Sequence, residues 1–246
     1  MHRTVTASLV IIGNEILSGR THDKNIPHIA TRLNEAGIQL REVRVVPDIE
    51  AEIVDAVNAV RARYDYVFTT GGIGPTHDDI TTASIAKAFG VPVVRDAEAE
   101  RLLRAYIPPE RINEARLKMA DVPQGAILIP NEVSAAPGFV IGNVYVMAGI
   151  PNIMQAMLTA TLPRLHGGNS VASLSVTTNL PEGTLADDLT AIQHRYSTVD
   201  IGSYPQFVNS MPQTSLVCRS MDDAANAGAM TEIHAMIEKL GGTIIA

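Results

Sequence analysis

Tyr66-Val67-Phe68-Thr69-Thr70-Gly71-Gly72-Ile73-Gly74-Pro75-Thr76-His77-Asp78-Asp79-Ile80-Thr81 runs from an apolar stretch straight into a glycine cluster and two adjacent carboxylates. The run Tyr66 to Thr69 reads as a strand buried on both faces, the kind that builds parallel sheets. A helix is predicted over Asp79 to Phe89, closed by Gly90. Glycines between a strand and a helix let the backbone approach a ligand and aim successive N–H groups at it. The helix start adds a positive dipole end. Together they predict an anion site at the carboxyl end of a strand, where open α/β sheets bind ligands. The ligand-binding candidates here are Thr70, Gly71, Gly72, Gly74 and Thr76, with Asp78 and Asp79 as catalytic candidates. A helix cap is the structural alternative for the two aspartates. Capping alone leaves a second carboxylate, two threonines and three glycines unexplained. The loop is not a nucleotide P-loop, because no Gly-Lys-Ser/Thr follows.

Outward from this stretch the same alternation repeats. Upstream, Leu9 to Ile12 reads as a strand and Asn25 to Gly37 as a helix. Between them lies a second polar cluster, Gly13-Asn14-Glu15-Ile16-Leu17-Ser18-Gly19 with Asp23 and Asn25. Asn14, Glu15, Ser18, Asp23 and Asn25 are candidate ligand contacts; the alternatives are a tight turn, with Asp23 as an N-cap. Val43 to Val46 is a further strand, followed by Pro47-Asp48 and a helix over Glu50 to Arg61. Asp48 alone reads as a turn and a cap. Parallel neighbours end on the same side of a sheet, so Asp48 is expected to approach Asp79. Two carboxylates flanking an anion cradle suit a divalent cation that also binds substrate phosphates, which makes Asp48 and Asp79 the metal candidates. Repeated strand–helix units predict a mostly parallel sheet with helices on both faces.

Downstream, helices are predicted over Ala97 to Tyr106, Glu110 to Met119 and Ile153 to His166, and strands over Ala126 to Ile129 and Asn143 to Ala148. Pro137-Gly138 and Gly149-Ile150-Pro151 form a third candidate ligand rim, with Pro137, Gly138, Gly149 and Pro151 as contacts. Gly167-Gly168-Asn169 is the expected linker between a domain at 1–167 and another at 168–246. In the second part the order strand–helix–strand–strand–helix–strand predicts a small α+β domain of the split βαβ kind. His22 and His77 sit in the polar clusters; the seven histidines form no metal-binding pair. Cys218 lies within an expected strand and reads as core.

The 246 residues include 19 basic and 26 acidic side chains, for a formal charge of −7. An acidic chain without a basic tail is not expected to bind nucleic acid non-specifically. An apolar fraction of 46% and a charged fraction of 18% exclude a largely disordered chain. The single Cys218 excludes an internal disulfide and a cysteine metal cage. The apolar start is broken at Gly13-Asn14-Glu15, and no run reaches the length of a membrane span. The expectation is a cytoplasmic protein that engages no membrane.

Taken together these motifs resemble the molybdopterin-binding fold family. It includes MoaB/MogA-type molybdenum-cofactor proteins, the amino-terminal part of CinA competence/damage-inducible proteins, and the molybdopterin-binding-like part of some eukaryotic FAD synthases. The matching segments are GNEILSG at 13–19 with Asp23 and Asn25, TTGGIGPTHDDIT at 69–81, APGF at 136–139 and AGIP at 148–151. Lys118-Met119-Ala120, Val133 to Phe139, Leu180-Pro181-Glu182 and Gly202-Ser203-Tyr204-Pro205 lean toward the CinA and FAD-synthase branch. Where CinA-type chains usually carry a glutamate, this sequence has Ile153.

The resemblance implies a three-layer α/β/α sandwich. It places Thr70 and the loop 71–74 where relatives hold a phosphate-bearing ligand, and Asp23 and Asn25 on the same cleft. Asp48 and Asp79 fall on the two acidic positions associated with activity in the molybdopterin adenylyltransferases. The implied function is a metal-dependent pyrophosphatase, with magnesium or cobalt, acting on a diphosphate conjugate such as ADP-ribose or FAD. Adenylyl transfer to molybdopterin is a nearby variant. The alternative from a different class is a module that binds molybdopterin or a nucleotide without turnover. In either case the expected partner is a small nucleotide or pterin phosphate, and the resemblance implies a homo-oligomer. No deamidase and no FAD-synthase catalytic activity is carried over.

Overall fold

The structure is a computed structural model that describes residues 4–168, 170–209 and 211–245. The chain divides into two compact units, Met1–Gly168 and Asn169–Ala246. In the first, the elements in order are β1 (Val5–Ile12), α1 (Asn14–Leu17), α2 (Asn25–Glu35), β2 (Ile38–Val46), α3 (Glu50–Arg61), β3 (Tyr66–Thr70), α4 (Thr81–Phe89), β4 (Val93–Arg95), α5 (Ala97–Tyr106), α6 (Glu114–Leu117), β5 (Asp121–Pro123), β6 (Ile127–Ile129), β7 (Gly138–Ile141), β8 (Val144–Met147) and α7 (Pro151–Thr161).

A six-stranded sheet runs β2-β1-β3-β8-β7-β6. β2, β1, β3 and β8 are parallel. β7 is antiparallel to both of its neighbours. Alternation along the strands sends side chains to two separate cores. Ala7, Leu9, Ile11, Phe68 and Met147 pack with Ile29 and Leu33 of α2 and Met154 and Leu158 of α7. Val10, Ile12, Val67, Val144 and Val146 pack on the other face with Ile53 and Val57 of α3 and Ile85 of α4. Helix, sheet and helix make the expected three layers.

Four expectations need correction. β2 and β3 are not neighbours, because β1 lies between them. α4 starts at Thr81, not Asp79: the Thr81 N–H donates to the Gly72 carbonyl at 3.0 Å, so the loop closes first and the helix begins after it. The single helix expected over 110–119 is instead a 3-10 turn at Pro109–Arg111, α6, and a second 3-10 turn at Lys118–Ala120. It breaks because Asn113 restarts the chain as an N-cap, its Oδ1 accepting from the Arg116 N–H. Finally, Pro137-Gly138 is expected on a ligand rim, whereas Gly138 opens β7 opposite Ile129. Pro137 and Gly138 are buried there. The structure thus buries both, Gly138 within the sheet and Pro137 just before it, and not on an open rim.

Gly167 and Gly168 of the expected linker end the first unit, and the Gly168 N–H donates to the Gly37 carbonyl at 3.0 Å. Asn169 lies outside the described residues. In the second unit the order is β9 (Ala172–Thr178), α8 (Glu182–Arg195), β10 (Asp200–Val208), β11 (Met211–Ser220), α9 (Asp223–Lys239) and β12 (Ile244–Ile245). The sheet runs β10-β11-β9-β12 with antiparallel pairs. β9 and β10 are therefore parallel with β11 inserted between them, the split βαβ arrangement. Cys218 is fully buried in this unit's core, where burial pushes its thiol pKa up. Among the described residues no helix is long and apolar enough to cross a membrane.

Candidate functional site

The carboxyl ends of β1, β2, β3 and β8 open onto one edge of the parallel sheet, and the chain leaves them as Gly13, Pro47-Asp48, Gly71 and Ala148-Gly149. The ends are laced together. The Gly13 N–H donates to the Val46 carbonyl and the Gly71 N–H to the Met147 carbonyl. A parallel sheet converts four distant sequence segments into one rim.

The loop after β3 is built from inside. Gly71 has φ +102°, and a Cβ there would stand 2.1 Å from the Ile12 carbonyl oxygen. Gly72 has φ +67°, and a Cβ would meet the Thr81 Oγ1 at 2.2 Å. Both glycines are required by packing, independently of any ligand. The buried Thr81 hydroxyl donates to the Gly71 carbonyl at 2.9 Å. The Thr76 N–H donates to the Asp79 Oδ2 at 2.8 Å, and the Thr76 hydroxyl donates to the same oxygen. Asp79 therefore closes the loop and caps no helix. The Asp79 carboxylate also lies over Gly74, where a Cβ would come within 2.6 Å of it. Among the described residues the N–H groups of Gly72, Ile73 and Gly74 find no acceptor. These half-buried donors stand in succession, with the Asp79 carboxylate over Gly74.

Asp78 is exposed, and its carboxyl is held below the ordinary aspartate value, chiefly by the Thr76 hydroxyl and then by its own backbone N–H. The hydroxyl points at Asp79 in the structure, so its single proton is shared between two claimants and the Asp79 contact is the one the geometry shows. His77 is almost wholly exposed and lies 3.9 Å from Asp78. Asp48 stands across β1 and accepts the Asn14 N–H at 2.9 Å through Oδ2. It neither caps α3 nor adjoins Asp79's strand: two strand spacings, about 10 Å, separate the axes of β2 and β3.

A pocket of about 70 Å³ opens on the α2–α7 side of the rim. Glu15, Asp23, Asn25, Thr70, Gly71, Gly149 and Pro151 of the predicted contacts line it, with His22. Asp23 is the N-terminal clasp of α2, its Oδ1 accepting from the Asn25 N–H at 2.9 Å and the Ile26 N–H at 2.7 Å. Asn25 is buried and donates its Nδ2 to the Gly149 carbonyl at 2.9 Å, tying the start of α2 to the start of α7. Ser18 is exposed and folds back on the Glu15 carbonyl. Asn14, Ser18, Asp48, Gly72, Gly74, Thr76, Asp78, Asp79, Pro137 and Gly138 are not in this wall. The predicted residues thus form two parts, a glycine–aspartate loop and a pocket, joined at Thr70-Gly71.

Sequence reasoning gave Lys118 no role in the site. Its Nζ donates to the carbonyls of Thr76 and Asp79, both at 2.8 Å, clamping the loop from a segment some 40 residues away. It lies in the irregular stretch, where no periodicity points to a site. Thr21 and Lys24, also in the pocket wall, sit in a turn that gave no signal of its own. Among the described residues no three or more His, Cys, Asp or Glu side chains gather as a metal cage.

Comparison with known proteins agrees with this organisation. Residues 8–167 match the family model described as a probable molybdopterin binding domain, and residues 170–241 match the FAD synthase middle domain. A CinA-like protein of Desulfosudis oleivorans is 38% identical over 74% of this chain, which covers 47% of that protein, about half its length. A probable FAD synthase of Caenorhabditis elegans is 28% identical over 100% of this chain and 52% of its own. The solved structure of a CinA protein of unknown function from Thermoplasma acidophilum superposes with a TM-score of 0.62 at 34% identity. It covers 66% of this chain and 99% of its own. With a family model spanning the whole strand-end rim and a close structural relative, the chain belongs to the molybdopterin-binding-domain family, in its CinA-like branch.

Proposed function

We propose that the first unit binds the phosphates of a nucleotide or pterin conjugate at the loop 71–79 and hydrolyses a diphosphate such as that of ADP-ribose or FAD. The observation that carries this reading is the set of free N–H groups at Gly72, Ile73 and Gly74 with the Asp79 carboxylate over Gly74 and Asp78 next to it in the chain. Successive free amides suit phosphoryl oxygens and stabilise charge that develops on them. Water adds to one phosphorus, the bond from that phosphorus to the bridging oxygen breaks, and two phosphate monoesters leave. Asp78 stays ionised at neutral pH, given its lowered pKa, and orients the attacking water as an acceptor.

The donor set suits a divalent ion of the magnesium type. Asp48 and Asp79 each spend Oδ2 on the chain, and their other oxygens have no protein donor among the described residues. Hard oxygen donors too few for a closed cage match an ion that keeps waters and substrate phosphates. When bound, magnesium or cobalt supplies polarisation of the phosphoryl oxygen and a more acidic water. Asp79 is the stronger of the two candidates, because it lies over the loop that carries the free amides, whereas β1 separates Asp48 from that loop.

The test is an assay of purified protein with magnesium or cobalt against ADP-ribose, FAD and NADH, following release of nucleoside monophosphate. Turnover that chelator abolishes supports the reading. Binding by calorimetry with no product would favour a second reading, that of a molybdopterin or nucleotide carrier; the family's description as a binding domain speaks for it. Light scattering on the same sample reads out the proposed homo-oligomer.

A further inference from the structure

The free edge of the second unit's sheet departs from the rest of the chain in two ways. β10 pairs only with β11, and the two run together from Asp200↔Arg219 to Val208↔Met211. β9 follows β11 only as far as Thr214. The rows from Gln206↔Gln213 to Val208↔Met211 therefore form a two-stranded ribbon with no third strand beside it among the described residues. With Tyr204 at its base, the ribbon carries large apolar side chains in the open: Phe207 is 78% exposed, Met211 69%, Tyr204 47% and Val208 41%. Alternation and register put Tyr204, Val208 and Met211 on one face. Phe207 lies on the other, the side that β11 turns to the core through Leu216 and Cys218. A ribbon apolar on both faces is not the rim of its own unit's core.

The second departure is charge. From Ile201 to Cys218 the sequence has no Asp, Glu, Lys or Arg, in a chain that is 18% charged and carries −7 overall. Edge strands that must stay single are normally blunted with charge. Aromatic and methionine side chains without charge are instead the composition of an interface core. The absence of cations there rules out a nucleic-acid backbone as the occupant. Two copies of an acidic chain repel, and a charge-free surface lets them meet without setting like charges opposite each other. We infer that the β10–β11 ribbon is the surface through which two copies of this chain associate, ribbon against ribbon about a two-fold axis. Pro205 has no N–H to offer along β10, so the copies meet through side-chain faces and not by adding strand to strand. The inference rests on the proposed homo-oligomer and names its surface; it does not depend on hydrolysis.

Sedimentation velocity and light scattering on the full chain at micromolar concentration should show a dimer. Phe207→Glu and Met211→Glu should each weaken it by at least about thirtyfold, the loss of one interface anchor. Both positions are exposed, so circular dichroism should stay as in wild type. Phe207→Ser and Met211→Gln take their place if either charge prevents folding. Ile127→Glu, at a similarly exposed apolar position of the first unit, should leave the dimer intact. Met211→Lys alone should dissociate as Met211→Glu does. An equimolar mixture of those two variants should recover the dimer, because opposite charges then face each other across the axis.

Wild-type association of Phe207→Glu and Met211→Glu overturns the inference and leaves the homo-oligomer itself standing. A monomeric wild type overturns both. An equal loss in Ile127→Glu, or a mixture that stays monomeric, overturns the contact of ribbon with ribbon. Wild-type monomers that sediment with neutral phosphatidylcholine vesicles, where Phe207→Glu does not, assign the ribbon to a lipid surface and overturn it too. So does a monomeric wild type whose melting temperature falls in Phe207→Glu, which assigns the ribbon to a contact within its own chain. The presence or absence of hydrolysis bears on none of these results.

Discussion

The loops after β1 and β3 look alike in sequence, each a glycine-flanked polar cluster that ends in an aspartate before a helix. They use their aspartates in different ways. Asp23 accepts the first N–H groups of α2, so its carboxylate serves the chain. Asp79 accepts the Thr76 N–H and no helix N–H, and the amides of Gly72, Ile73 and Gly74 stay free. The difference lies in which donors are already satisfied. A carboxylate spent on helix N–H groups is structural, and a loop that closes on itself leaves its remaining donors for a ligand.

The largest effect expected from breaking this arrangement belongs to Gly71, where the two loops touch. Gly71→Ala combines φ +102° with a Cβ 2.1 Å from the Ile12 carbonyl. Backbone cannot move aside as a flexible side chain does. Denaturant unfolding should show a loss of at least about 3 kcal/mol, the upper end for strained backbone positions. A variant as stable as wild type would mean that the ends of β1 and β3 do not approach as described.

Next comes Asp79→Asn. Asparagine keeps an oxygen to accept the Thr76 N–H, so the loop should close and the melting temperature stay within about 4 °C. The charge beside the free amides is gone, and divalent-dependent turnover should fall at least about a hundredfold. Turnover at the wild-type level removes Asp79 from the chemistry and leaves it only as the loop's closure.

Much of the first unit is legible in the sequence because burial on both faces writes continuous apolar runs, and strand ends are marked by glycine. Leu9 to Ile12, Tyr66 to Thr69 and the polar clusters after them fall at the rim as read. The order of strands is not legible. Nothing in Val43 to Val46 says that β1 will separate it from β3, and that one crossover sets Asp48 apart from Asp79. Gly138 was hidden for a related reason, since nothing in the sequence around it says that β6 will pair with it and draw it into the sheet. Lys118 shows the limit most plainly. A long side chain reaching two carbonyls from an irregular segment depends on tertiary packing alone.

Asp23→Ala gives a smaller effect that sharpens the contrast. If the carboxylate's main work is to hold the first turn of α2, its loss should cost about 1 kcal/mol, the usual value of an N-terminal cap. Asp23→Asn and Asp23→Ser, which cap nearly as well, should recover most of it. Failure of both to recover stability would mean that the charge, and not the cap, matters there.

The smallest effect concerns Asp78, and it asks which carboxylate the Thr76 hydroxyl serves. The Asp78 carboxyl is held below the ordinary aspartate value of 3.8 with Thr76 as the leading cause, whereas the geometry places the hydroxyl on Asp79. A depressed carboxyl stabilises the fold fully above its unfolded pKa, and that contribution is lost as pH falls through the lower folded value. The window therefore opens below pH 3.8. Because Asp78 is exposed, the signal to follow is the titration itself and not the stability. Carboxyl-carbon NMR should show Asp78 with a midpoint below 3.8, and Thr76→Val should move it up toward that value. An Asp78 midpoint that Thr76→Val leaves in place would show that the hydroxyl belongs wholly to Asp79. The loop would then be closed by one carboxylate, with the other held down only by its own backbone and by the nearby His77 and Lys118 charges.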